Sequence, residues 1–319
     1  MTRFLHVFLA AALLASPNIA QSQVGGPPIR FILGVPPGGS LDASARILAA
    51  RLAELTKRNV VVDNRPGANM LIATKAVSAS APDGNTLLLA SAGPITTNPV
   101  FYPKESVDPL VNLTPISMIA IASLAVIVHP GVPVKTMKEL VEYAKANPNV
   151  LNFSTGTTSF QIAMELVMQR TGMRLTHVPY NGAGPALNAV TSGQVQLTVL
   201  DVGTAGALIR AGKLRALMVM SDKRLKSLPD VPDARESGYP SLEMETWAAL
   251  FGPPGMPVGT ASRLNEVVTK SLESADIREK FTGMEYEFIF HTPEQLADRI
   301  KRESATVKEV IEKANLKPN

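Results

Sequence analysis

The sequence predicts an α/β protein of two domains, with parallel or mixed sheets, flanking helices and a ligand cleft between the domains. Three observations predict it. Short apolar runs of strand length alternate with amphipathic stretches along the chain after residue 22. With 319 residues, 45% of them hydrophobic and 18% charged, the chain can bury a sizeable core and divide into two domains. One local arrangement, strand then small-residue turn then helix start, comes back at least four times. Strands joined through helices lie parallel, and their turns gather at the carboxyl ends of the strands, where ligands bind.

The elements follow in order. Ile29–Val35 reads as a buried strand, and Leu41–Leu55 as a helix with Leu41, Ala45, Leu48, Leu52 and Leu55 on one face. Val60–Asp63 is a second strand, ended by the turn Asn64–Gly67. A helix over Leu71–Ser80 stops at Pro82-Asp83-Gly84, and Thr86–Ala90 is a third strand. Ile116–His129 is a long apolar run. Thr136-x-x-Glu139 then has the pattern of a capping box. Strands at Leu151–Phe153, Thr176–Val178, Leu197–Leu200 and Leu214–Met220 alternate with helices that begin near Ser159, Pro185 and Thr204. Gly193 and Gly212 stand where left-handed caps end the last two helices. Past the proline-rich link Ser221–Pro240, Glu243–Phe251 is a strand with the only tryptophan, Trp247. Two helices, a strand at Glu285–Phe290 and a final helix capped by Thr292-Pro293-Glu294-Gln295 complete the chain. The crossings between domains are expected near residue 123 and residue 247. That gives a discontinuous first domain, 23–123 plus 248–319, and a continuous second one, 124–247.

The repeated turns carry the candidate chemistry. They are Val35–Asp42, Ser154–Ser159, Pro179–Gly184 and Asp201–Thr204, with Ser91-Ala92-Gly93 as a fifth. Each helix start offers amide donors without intrahelical acceptors and the positive end of the helix dipole. Glycine admits close backbone approach, and Ser and Thr add neutral donors. Several such turns facing one cleft make a carboxylate site without arginine. The candidate ligand-binding residues are therefore Pro37, Gly38, Gly39, Ser40, Asp42, Ser91, Ser154, Thr155, Gly156, Thr157, Thr158, Tyr180, Gly182, Ala183, Asp201 and Thr204. Some have ordinary structural readings. Asp42 suits a first helical turn through the dipole alone. Asp201 either accepts a ligand ammonium or caps the next helix. Tyr180 either packs over a ligand or lines the domain wall.

Several function classes are disfavoured. The chain has no cysteine, so it has no disulfide, thiolate metal site or cysteine nucleophile. His129, His177 and His291 lack metal-ligand spacing, so no metal and no cofactor are expected. The Pro36–Gly39 turn lacks the Gly-Lys-Ser/Thr ending of a phosphate loop. No Gly-x-Ser-x-Gly elbow or Ser-x-x-Lys marks a nucleophile at a strand-to-helix turn, so no catalytic residue is named. The formal net charge of +4, or +3 without Arg3, is too small and dispersed for a nucleic-acid surface.

Met1–Ser22 reads as a secretory signal peptide: Arg3, the apolar run Phe4–Ala15, then Ser16-Pro17 and small residues, with cleavage after Ala20 or Ser22. The mature protein is expected in the periplasm, as a monomer.

The stretches Pro36–Arg46, Val62–Ala68, Ala81–Leu88, His177–Gly182, Ala211–Leu217 and Leu228–Pro232 resemble, in the same order, the periplasmic receptors of tripartite tricarboxylate transporters, the Bug-type or TctC-type binding proteins. The resemblance runs from about Pro28 to the last helix. It implies a type II-like periplasmic binding fold that closes like a flytrap on a small carboxylate: a di- or tricarboxylate, an acidic amino acid or an aromatic acid. It implies that the Pro37–Asp42 turn closes over the far end of the ligand, and that the Ser154–Ser159 and Tyr180–Ala183 turns hold a carboxylate. Asp201 and Thr204 fall at or beside another contact segment. The implied partners are membrane permease subunits. The Ser154–Ser159 loop departs from the family in being shorter, without a second glycine. The competing classes are a ligand-sensing adaptor for a two-component system and an exported hydrolase on a similar fold.

Overall fold

This structure, a computed structural model, describes residues 26–316. The signal-peptide reading of residues 1–22 lies outside them. The first lobe opens with β1 (Ile29–Leu33), α1 (Ser40–Thr56), β2 (Val60–Asn64), α2 (Leu71–Ser78), β3 (Thr86–Ser91) and the one-turn α3 (Asn98–Phe101). The long strand β4 (Thr114–Val128) leads to the second lobe: α4 (Met137–Ala146), β5 (Asn152–Thr155), α5 (Thr158–Thr171), β6 (Thr176–Pro179), α6 (Ala183–Thr191), β7 (Leu197–Asp201), α7 (Val202–Arg210) and β8 (Arg215–Val219). The chain returns through β9 (Glu245–Gly252), α8 (Val258–Glu273), α9 (Ala275–Gly283), β10 (Tyr286–Glu287) and α10 (Pro293–Ala314).

The strand order is β2-β1-β3-β9-β4-β7-β5-β6, with β8 and β10 also paired to β4. β1 is parallel to β2 and β3, and β5 is parallel to β6 and β7. Both ladders therefore present their strand ends, and the helix starts that follow, toward one junction. β4 binds the ladders together. Its Thr114–Ser123 stretch pairs with β9, and Leu124–Val128 with β7. Register shifts at Pro115/Ser117 and Met118/Ala120 mark bulges, which bend and twist a strand too long to run flat. β9 pairs with β4 from Glu245 to Gly252 and with β3 from Ala248 to Phe251.

Each lobe has its own core. Phe31, Leu48, Leu87, Leu250 and Phe281 pack in the first, and Phe153, Met164, Val199 and Leu217 in the second. Burying such a side chain contributes about 1.5–3 kcal/mol. The expected apolar face of α1 is inside at Leu41, Ala45, Leu48 and Leu52. Gly193 (φ 76°) and Gly212 (φ 68°) end α6 and α7 in the left-handed region, as expected. At α10, Thr292 and Gln295 exchange both bonds of a capping box. At α4, Thr136 accepts from the Glu139 amide, but the Glu139 carboxylate reaches the Lys135 amide instead, one residue earlier.

One expected strand is mostly absent. Of Glu285–Phe290 only Tyr286 and Glu287 pair, opposite Ala122 and Ile121. Glu285 enters with φ 62°, and β4 turns into the second sheet from Leu124, so the segment has little strand to pair with. α10 belongs to the first lobe in sequence yet also touches the second. Ile162 of α5 packs on Val307 and Val310, and the Gln169 amide donates to the Val310 carbonyl at 2.9 Å. No helix among the described residues is long and apolar enough to cross a membrane.

Glu165, midway along α5, is half-buried and forms no ion pair among the described residues; burial lifts its carboxyl to about 7. The folded protein therefore holds a proton that the unfolded chain releases near 4.5, and stability falls as pH rises through that window. Glu165→Gln is expected to match the parent Tm near about pH 5 and exceed it near about pH 8. A Tm difference that does not change with pH would refute this assignment.

Candidate functional site

Three helix starts open on one chamber between the lobes. β1 leads to α1 through Val35–Gly39, where Gly38 (φ 102°) reverses the chain and Gly39 caps α1 without a side-chain bond. α5 begins after Thr157 and α6 after Gly182, and neither cap satisfies a first-turn amide through a side chain. Pro37, Gly39 and Ser40 of the first lobe face Thr157, Ala183 and Gly184 of the second across a small cavity of about 70 Å³. Donor-bearing turns from both lobes thus share one gap, with positive dipole ends on both sides.

Much of the remaining wall is apolar: Val35, Leu41, Met70, Phe160, Pro185 and Trp247. Ser91 and Thr246 add neutral hydroxyls. Among the described residues, no lysine or arginine lines the chamber. In such an apolar setting, hydrogen bonds from amides and helix ends to a charged group are strong.

Asp201 forms part of the wall and is wholly buried. Its carboxylate accepts from the Thr204 amide at 2.9 Å and from the Thr204 hydroxyl, so it caps α7. Burial pushes its pKa up, against the bonds from Thr204 and Ser40. Thr204 and Ser40 hydroxyls meet across the lobes at 3.2 Å. Tyr286 completes the group on the same wall as Ser40 and Asp201; burial, then the charge of Asp201, raises its phenol pKa and keeps it protonated.

The candidate residues divide by position. Pro37, Gly39, Ser40, Ser91, Thr157, Ala183 and Asp201 line the chamber. Gly38, Asp42, Ser154, Gly156, Thr158, Gly182 and Thr204 stand behind or beside it. Asp42 accepts from Arg46, Asn64 and the Gly38 amide, which hold its carboxyl low although burial raises it. The buried Ser154 hydroxyl donates to Ala186 at 3.0 Å and so fixes α6 against β5. A Cβ on Gly156 would sit 2.1 Å from the Gly182 carbonyl carbon, so these two turns touch backbone to backbone. Thr158 donates to Asn98 at 2.6 Å, a buried bond between the lobes. Thr155 and Tyr180 line a neighbouring outer groove.

Sequence reasoning missed Met70, Phe160, Thr246 and Tyr286 as wall residues and did not assign Trp247 to the site. Their signals were generic. Phe160 is one more apolar residue of a helix, and Tyr286 reaches Ser40 only because β10 pairs with β4.

Known proteins resemble this chain along nearly all of its length. The family model described as Tripartite tricarboxylate transporter family receptor matches residues 44–316. Protein BugT of Bordetella pertussis is 34% identical, over 97% of this chain and 98% of its own. The structure of R. palustris Rpa4515 with adipate has a TM-score of 0.88 at 29% identity, covering 92% of this chain and 99% of that one. MatC from Rhodopseudomonas palustris with bound malate has a TM-score of 0.84 at 26% identity, covering 89% and 99%. The chain belongs to the tripartite tricarboxylate transporter receptor family, whose members are periplasmic solute-binding proteins and not enzymes.

Proposed function

We propose that this protein is a periplasmic receptor that captures a small carboxylate between its lobes and presents it to the permease subunits of a tripartite tricarboxylate-type transporter. The observation that carries the reading is the set of helix starts without a side-chain cap, α1 from one lobe and α5 and α6 from the other, around a chamber with no cationic side chain among the described residues. A carboxylate supplies the acceptors these amides lack. The malate and adipate in the two solved relatives agree with that charge. Residues 1–22 act as the export signal, removed after Ala20 or Ser22.

In this reading the mechanism is capture without bond chemistry. The ligand enters between open lobes and meets the preset amides. It favours closure because the amides of α1 and of α5 and α6 can reach it together only when the lobes are shut. The crossings in β4 near Ser123 and at Met244–Glu245 are the hinge. Thr158–Asn98 and Thr204–Ser40 are latches of the closed form. The ligand set comprises the chamber residues above, with Gly38, Asp42, Ser154, Gly156, Gly182 and Thr204 fixing the turns that bear them.

Thermal melting of the mature protein against malate, adipate and their neutral diamides tests the reading. At about 100 Kd a true ligand adds about 2.7 kcal/mol of stability and raises the Tm by several degrees. Carboxylates are expected to shift the Tm and the diamides not. Equal shifts from the diamides, or none from a broad carboxylate panel, would sink it.

Thr158→Ala removes one latch and leaves the chamber wall in place. Affinity for the best carboxylate is expected to fall about five-fold, the worth of one buried hydrogen bond. Calorimetry checks this, and an unchanged Kd would exclude the latch.

A further inference from the structure

The chamber continues past Thr157. Beyond that residue and Pro185, which line both spaces, a wider groove of about 590 Å³ opens between the lobes. Asn69 and Tyr102 of the first lobe face Thr155, Gln161, His177 and Tyr180 of the second across it. Among the described residues, no lysine, arginine, aspartate or glutamate lines this groove. His177 adds no charge near neutral pH, because burial lowers its pKa to about 4. Its Nε2 meets the Thr155 hydroxyl at 2.7 Å, and its ring stacks on Phe153.

One strained turn serves both spaces. Ala68, Asn69 and Met70 follow one another with φ of 46°, 51° and 69°, a left-handed run that non-glycine residues rarely adopt and that persists only where the surroundings enforce it. Asn98 donates to the Asn69 carbonyl at 2.6 Å, and the Asn69 amide donates to the Tyr102 hydroxyl at 3.2 Å. Gly34 lies so close that a Cβ there would be 2.4 Å from the Met70 Cβ. The result puts apolar Met70 on the chamber wall and polar Asn69 on the groove wall.

We propose that the groove is the second compartment of the ligand site, and that the ligand carries one carboxylate for the chamber, an apolar segment passing Thr157 and Pro185, and an uncharged amide or hydroxyl end for the groove. This rests on the carboxylate reading of the chamber and narrows it. A second carboxylate in the groove finds no cationic side chain among the described residues, the helix starts it would share are taken by the first carboxylate, and it keeps its water. An amide or hydroxyl end finds both donors and acceptors on Asn69, Gln161 and Tyr180. A site built to hydrogen bond a group rejects an analogue that lacks it, because its own polar atoms are left unpaired.

Calorimetry of the whole mature chain with hexanoate, adipate and adipic acid monoamide tests this. The monoamide is expected to bind about ten-fold tighter than hexanoate, as two modest hydrogen bonds allow, and tighter than adipate. In the double variant Gln161→Ala, Tyr180→Phe the monoamide-to-hexanoate ratio is expected to fall to about two-fold. The ratio is the readout, so a general loss of affinity does not imitate the result. A monoamide no tighter than hexanoate, adipate tighter than the monoamide, or a ratio unchanged in the variant overturns the second compartment and leaves the carboxylate reading standing. If none of the three acids binds, the carboxylate reading fails and this inference falls with it.

Discussion

The first amides of a helix have no partner within the helix, and three helices start at the junction between the lobes with caps that leave those amides free. Water can satisfy them while the lobes are apart. In the proposed closed complex the apolar walls displace that water, and a polar guest takes its place so that the amides are not left unpaired. The rest of the junction follows from that constraint. Gly38 and Gly182 have backbone angles that side chains resist, and Gly156 touches Gly182 too closely for any Cβ. α7 differs from its neighbours because Asp201 already satisfies its start. It contributes a link to Ser40 through Thr204, whose amide the Asp201 carboxylate already accepts.

Rigid supports hold these starts in place. β4 runs through both sheets, and β9 lies beside it across the whole first ladder. In the proposed capture mechanism these two adjacent connections are where the lobes would rotate while the turns keep their shape. α10 reinforces the back of the junction. Trp247 of β9 donates to Glu303 at 2.7 Å, and Arg299 bonds both Glu245 and Glu303. The far part of the same helix rests on α5. α10 is thus packed against both lobes across the junction.

Much of the scaffold was legible because it is written in local patterns. The βαβ alternation, the four glycine-bearing turns, the helix stops at Gly193 and Gly212, and the Thr292 cap depend on neighbours a few residues away. The length of β10 was not. Glu285–Phe290 has strand composition, but how much of it pairs is set by where β4 leaves the first sheet. Within the site, the turns were legible and the roles inside each turn were not. Ser154 and Thr157 look alike in sequence, yet one hydroxyl holds α6 and the other residue lines the chamber.

The sequence alone determined the fold class, the family resemblance and the turns that carry free amides, because strand and helix periods, glycine and capping residues act over short spans. Tertiary structure decided which turns face one another, that Asp201 is spent on a cap, that Tyr286 and Trp247 close the chamber, and that a charge-free groove lies beyond Thr157. Apart from the Asp201 cap, which is made three residues away, those facts join residues more than a hundred positions apart. They depend on how two sheets share one strand, and no local pattern encodes that distance.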